Sequence, residues 1–154
     1  YQPENCCLVP EKREELTTEG GLDVQMNEAT IKKACWQLKQ ASIQVSLFID
    51  PVIEQINAAV RCEAPVIEIH TGHYANATSA SGIKKELARI ETATQYAHDK
   101  GIIVNAGHGL HYDNVQAIAS IPHIHELNIG HSLIAQAVFD GLPAVVKKMK
   151  QLIS

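Results

Sequence analysis

A parallel α/β fold follows from three features of the sequence. Short runs rich in branched apolar residues are bounded by polar or glycine-containing sequence, longer stretches space their apolar residues three or four apart, and the two kinds alternate along the chain. The short runs occupy residues 5–9, 43–49, 66–70, 102–105 and 126–129. Each reads as a strand with both faces covered, the habit of parallel sheets flanked by helices.

The helical stretches carry a one-sided apolar face. Residues 28–40 align Ile31, Cys35 and Leu38, and residues 83–100 align Ile83, Leu87, Ile90 and Ala97. Asp50-Pro51 and Leu142-Pro143 mark helix starts, and Lys100-Gly101 marks a stop. Two further helical segments, 132–139 and 143–152, follow the last strand. That ending fits a TIM (β/α)8 barrel, whose final phosphate-binding loop often carries a short extra helix. Such a barrel needs eight strands to close, and five are read here. The expectation is therefore one partial-barrel domain over residues 1–154, holding strands four to eight, with three N-terminal strand–helix units absent. The opening at Tyr1 rather than Met agrees with it.

Composition narrows the partners. A chain of 154 residues, 45% hydrophobic and 19% charged, has enough apolar surface for a substantial core. The formal charge is −4, and Lys and Arg are scattered, so neither nucleic acid nor an anionic membrane finds a basic face. No apolar run nears the roughly 18 residues that cross a bilayer. Cys6, Cys7, Cys35 and Cys62 form no CxxC pair, and adjacent Cys6 and Cys7 sit in an apolar strand-like run, which predicts reduced, buried thiols and a cytoplasmic location.

In a parallel barrel, reactive groups stand where strands end. Those ends carry Glu11 to Arg13 with Thr17 and Gly20-Gly21, then Asp50, then Glu68 to Gly72, and two similar clusters, Asn105-Ala106-Gly107-His108-Gly109 and Asn128-Ile129-Gly130-His131. Glycines before a helix N-terminus let backbone amides approach a phosphate, and the helix dipole favours its charge, which singles out Gly109, Gly130 and His131. A glycine in a tight turn is otherwise structural. His108, between two glycines at a strand end, is the candidate general acid or base, against the ordinary reading of a lone histidine as a packed residue. Glu68 lies within an apolar run, and alternation directs it into the barrel with His70; a salt bridge or a catalytic role would each explain a carboxylate there. His123 and His125 resemble a metal pair but fall at the opposite end of the barrel, so no metal site is expected.

The segments Cys6 to Arg13, Thr17 to Asp23, Glu68 to Gly72, Asn105 to Leu110 and Glu126 to His131 together resemble the pyridoxine 5'-phosphate synthase family, in order and spacing across the whole chain. The resemblance implies condensation of 3-amino-2-oxopropyl phosphate with 1-deoxy-D-xylulose 5-phosphate, through an imine, to pyridoxine 5'-phosphate, phosphate and water, with no metal or organic cofactor. By position, His108 resembles the family's proton donor and Glu68 its transition-state carboxylate. Thr17 resembles a contact to the deoxyxylulose phosphate, and Gly109, Gly130 and His131 contacts to the amino-ketone phosphate. The family's other acid–base histidine, its second glutamate and several phosphate-binding arginines would lie in the absent N-terminal portion. A homo-octamer is likewise implied by the family.

Two rival readings stay open. An aldolase or isomerase barrel would use the same glycine loops, although a Schiff-base aldolase needs a lysine inside the barrel and only Lys12 stands near a strand end. An incomplete, inactive phosphate-binding fragment would expose sheet edges and self-associate.

Overall fold

The computed structural model describes residues 2–10 and 20–154. Five strands, β1 (Asn5–Leu8), β2 (Gln44–Ile49), β3 (Val66–His70), β4 (Ile103–Gly107) and β5 (Ile124–Asn128), form one sheet in sequential order, every neighbouring pair parallel. The connections carry α1 (Glu28–Gln40), α2 (Ile53–Arg61), α3 (Gly72–Ala75), α4 (Ala80–Asp99) and α5 (Val115–Ala119), and α6 (His131–Asp140) and α7 (Leu142–Leu152) follow β5. Sequential parallel strands, each followed by a helix, are the repeating unit of a (β/α)8 barrel, here a partial one with β1 and β5 at the edges.

The two faces of the sheet differ in chemistry. Val45, Leu47, Ile49, Ile67, Ile69, Val104 and Ala106 are almost wholly buried on one face, against Ile31, Cys35, Ile56, Ile90, Ala93 and Ala97 of α1, α2 and α4. The intervening residues include Cys7, Ser46, Glu68, Asn105, Glu126 and Asn128, and all six line an open cavity on the other face. The expectation of strands covered on both faces is thus corrected: among the described residues, helices cover one face, and the other is polar and lines the open cavity.

Boundaries shift in instructive ways. The fourth strand runs to Gly107 and the fifth begins at Ile124, because pairing with the neighbouring strand extends each past its apolar run. A register irregularity at Val104/Asn105 keeps Asn105 opposite Glu126 and Gly107 opposite Asn128. Asp50-Pro51 precedes α2 by a turn rather than opening it. The long helix α4 starts three residues before its expected position, at a Ser79 cap whose Oγ accepts from the Gly82 N–H at 3.1 Å. The four- and five-residue helices α3 and α5 are too short to leave a periodic signal.

The thiols are free, but only Cys35 and Cys62 are buried. Cys6 and Cys7 point to opposite faces of β1, as alternation requires, and Cys7 is exposed on the inner wall, which corrects the expectation that all four are buried. No helix among the described residues is long and apolar enough to cross a membrane.

The outer face should dominate stability. Ile67, 0% exposed in the centre of β3, has helices in front of it and paired strands on either side. Ile67→Ala is expected to lower unfolding free energy by about 2–5 kcal/mol in urea titration, the range for a truncated, fully buried aliphatic side chain. A loss below about 1 kcal/mol would mean that this face is not packed as described.

Candidate active site

Glu68 and His108 approach a common cavity from adjacent strands. A cavity of about 490 Å³ opens at the C-terminal ends of the strands, and Glu68, His108, Gly109, Asn128, Gly130 and His131 lie on its wall. Five of the six residues singled out by sequence are therefore brought together. The sixth, Thr17, lies outside the described residues, as do Glu11 to Arg13.

Glu68 stands on the inner face of β3 because alternation leaves Ile67 and Ile69 for the helix side. Its Oε2 accepts from Asn128 Nδ2 at 2.9 Å and from the Cys7 thiol at 3.7 Å. The carboxyl is raised above its ordinary value, first by burial; the two hydrogen bonds oppose that rise and the nearby Glu126 adds to it. Cys7, though its residue is exposed on the wall, has a thiol partly desolvated by its neighbours and pushed up to about 11 by that and by the Glu68 charge, so it serves as a protonated donor. Gly107 makes room for this arrangement. A Cβ there would fall 2.3 Å from Glu68 Oε1 and 2.8 Å from the Asn128 carbonyl oxygen.

His108 follows the end of β4 in a left-handed backbone conformation, φ 81°, unusual for any residue but glycine. The buried Thr71 side chain secures it: its hydroxyl lies 2.7 Å from the Gly107 carbonyl oxygen and 2.6 Å from that of His108. Beyond it, Asn114 Nδ2 donates to the Gly109 carbonyl at 3.1 Å and Ser132 Oγ to the Leu110 carbonyl at 2.7 Å, which ties the loop to α5 and α6. Burial holds the His108 imidazole below its ordinary value, and His70 and His131 add to that. Gly109 is fixed by both conformation and space, with φ 77° and a would-be Cβ 2.6 Å from Ala75 Cβ. Gly130 is different. It caps α6 with φ −113° and nothing within 4 Å of its Cβ position, so its contribution is open space before the free amides of the ten-residue α6.

Sequence reasoning missed the partners of the two acids and bases. Asn128 and Cys7 entered as a motif residue and an apolar-strand residue, yet parallel register with alternation puts both on the wall that carries Glu68. Asp50 reads in the sequence as a helix start and a strand-end carboxylate, and it lies 2.9 Å from Nδ1 of the buried His70. One group of three possible metal ligands occurs among the described residues, Asp50, His70 and His73, with ligand atoms within 4.8 Å of one another; the hydrogen bond between the first two accounts for their approach. His123, expected at the far end of the barrel, stacks there on His98 with ring centroids 3.7 Å apart.

A half-buried carboxylate raised by desolvation is a stability cost once ionised. Since its folded value lies above the unfolded one, the penalty is absent at low pH and grows as pH rises through the carboxyl range. Glu68→Gln keeps an acceptor for Asn128 without the charge and should raise the melting midpoint by about 2–4 °C at pH 7–8, with no gain near pH 3. Equal shifts at both pH values would show that the carboxylate is not destabilised by its surroundings.

Comparison with known proteins shows the family of this chain. The family model described as pyridoxal phosphate biosynthesis protein PdxJ matches residues 1–154. Pyridoxine 5'-phosphate synthase of Coxiella burnetii (strain RSA 493 / Nine Mile phase I) is 60% identical over 153 residues, covering 99% of this chain and 64% of its own length. The enzyme of the same name from Alcanivorax borkumensis is 60% identical over 152 residues, covering 99% and 62%. The chain thus spans somewhat under two thirds of the length of these curated relatives. A solved 4-hydroxy-2-oxoglutarate aldolase/2-deydro-3-deoxyphosphogluconate aldolase from TTHB1 covers 97% of the chain at 14% identity, with a TM-score of only 0.35. With its full length matched by the family model and 60% identity to named members, this chain belongs to the PdxJ family of pyridoxal phosphate biosynthesis proteins.

Proposed function

We propose that this chain supplies the C-terminal part of a pyridoxine 5'-phosphate synthase active site, condensing 3-amino-2-oxopropyl phosphate with 1-deoxy-D-xylulose 5-phosphate. The observation that carries the reading is the shared cavity: Glu68, His108, Gly109, Gly130 and His131 line one wall, with a carboxylate, an imidazole and a free helix N-terminus facing the same space. In this reading three preceding strand–helix units complete the barrel and bring the remaining acid, base and arginine groups, and the assembled enzyme is a cytoplasmic homo-octamer.

The chemistry assigned to each group follows from its surroundings. The α6 amides, Gly109, Gly130 and His131 hold the amino-ketone phosphate, and Thr17, by family resemblance alone, contacts the deoxyxylulose phosphate. Imine formation, loss of phosphate and ring closure each move protons, and His108 delivers one to a leaving or developing oxygen. Glu68, fixed by Asn128 and Cys7, faces the positive charge that develops on the imine nitrogen and stabilises it electrostatically. Both roles require the full-length enzyme for assay.

His108→Asn in a full-length synthase containing this sequence should slow kcat by about a hundredfold to ten-thousandfold with little change in KM, the usual loss for a general acid. Asn tolerates the left-handed backbone at this position, so a changed fold would not confuse the result. An unchanged turnover number would remove His108 from the mechanism.

The phosphate should also alter the titration of His108. Free, the imidazole is held below its ordinary value of 6.5 by burial. A phosphate dianion bound at Gly109 and His131 favours the charged imidazolium and raises it. A general acid loses activity as pH rises through its pKa, so the alkaline limb belonging to His108 should lie at higher pH in kcat than in kcat/KM. Coincident limbs, or the reverse order, would mean that bound phosphate does not reach this imidazole.

A further inference from the structure

His70 is almost fully buried at 3% exposure, too enclosed to touch a substrate, yet it is tethered on one side and packed on the other. Its Nδ1 lies 2.9 Å from Asp50 Oδ1, and Asp50 Oδ2 accepts from the Gly21 N–H at 3.2 Å. The His70 hydrogen bond, followed by that of Gly21, holds the Asp50 carboxyl below its ordinary value against the opposing effect of burial. An ionised carboxylate only accepts, so Nδ1 of His70 carries the proton and the ring orientation is set.

The free side of that ring faces His108. The two imidazoles meet edge to face, centroids 4.9 Å apart at 68°, and Phe48 packs against both, at 5.2 Å and 6.2 Å. Gly72 leaves the gap between them unfilled: a Cβ there would lie 2.3 Å from His70 Nε2 and 3.1 Å from His108 Cδ2. Gly21 is equally constrained beside Asp50, since its Cβ would fall 2.2 Å from the Asp50 backbone nitrogen. Backbone from two loops is thus brought close enough to fix the buried His70 and its partly exposed partner Asp50 beside the candidate proton donor.

We propose that His70, held by Asp50, is a positioning residue that fixes the ring of His108 at the mouth of the cavity. The proposal deepens the synthase reading and rests on it for its kinetic arm. A misplaced catalytic group loses rate rather than binding, since a shift of about 1 Å can cost about a hundredfold. His70 acts through His108, so substrate affinity should be little affected.

The test combines kinetics with histidine ring NMR. In a full-length synthase containing this sequence, His70→Ala and Asp50→Ala should lower kcat by about ten- to a hundredfold with KM within about twofold, while Asp50→Asn, which keeps an acceptor for Nδ1–H, should recover most of the loss. In the present chain, the His108 ring resonances, assigned by their disappearance in His108→Asn, should move in His70→Ala and Asp50→Ala and stay near their native positions in Asp50→Asn. If His70→Ala does not fold, judged by its melting curve, the two Asp50 variants carry the same comparison. Native kcat in Asp50→Ala, a rise in KM without loss of kcat, or His108 resonances that do not respond would each overturn the proposal. A full-length parent without synthase activity would instead remove the functional reading and leave the ring measurement to decide the positioning claim.

Discussion

Strict alternation along parallel, sequentially ordered strands is the constraint from which the rest of this molecule follows. Each strand gives every second side chain to the helices and the others to the inner wall, so a five-residue strand such as Val66–His70 serves both core and chemistry. Ile67 and Ile69 are spent on the core and are fully buried, which sends Glu68 and His70 inward without any freedom to slip. A slip by one residue would place the carboxylate among aliphatic helices and the two isoleucines on the polar wall. Burial of the outer set therefore specifies the position of the inner set.

Parallel register then assembles the inner wall laterally. Glu68 lies opposite Asn105 on β4, and the irregularity at Val104/Asn105 sets Asn128 of β5 beside Gly107, within reach of the Glu68 carboxylate. Without a side chain, Gly107 lets Glu68 pass across β4 to Asn128. Small residues do similar work at the mouth, where Gly72 separates two imidazoles and Gly109 lies against Ala75. The close approaches at these glycines have a physical basis in contact distances below those a Cβ allows.

Much of this was legible in the residues themselves. Short runs of branched apolar residues located all five strands, and helical spacing located α1 and α4, because long periodic segments declare their type. The strand-end clusters pointed to the cavity because a parallel barrel has only one reactive rim. Other features could not be read. Strand limits at Gly107 and Ile124 depend on pairing with a neighbour, and the polar inner face reads as ordinary sequence until register shows that Cys7, Glu68 and Asn128 meet. The bond between Asp50 and His70 joins residues 20 apart through two strand ends, a relation that no local pattern encodes. The short helix α3, which carries Gly72 into the gap beside His108, is too brief to announce itself.

The site also concentrates what the remainder of the fold avoids. His108 occupies a backbone region that costs an ordinary residue about 1–3 kcal/mol, and Glu68 holds a carboxylate whose ionisation burial disfavours. Both are stabilised by groups that belong to neighbouring elements, Thr71 for the histidine and Asn128 with Cys7 for the glutamate. Neither feature would persist in an isolated hairpin or helix, since each depends on a partner brought in by the sheet. A helix-covered face of aliphatic side chains offsets their cost, each fully buried side chain contributing about 1.5–3 kcal/mol relative to exposure. Strain and desolvation at the strand ends are thus tolerated because the opposite face of the same strands is a well-packed core, and a mutation that loosened that face would be felt at the site before the fold was lost.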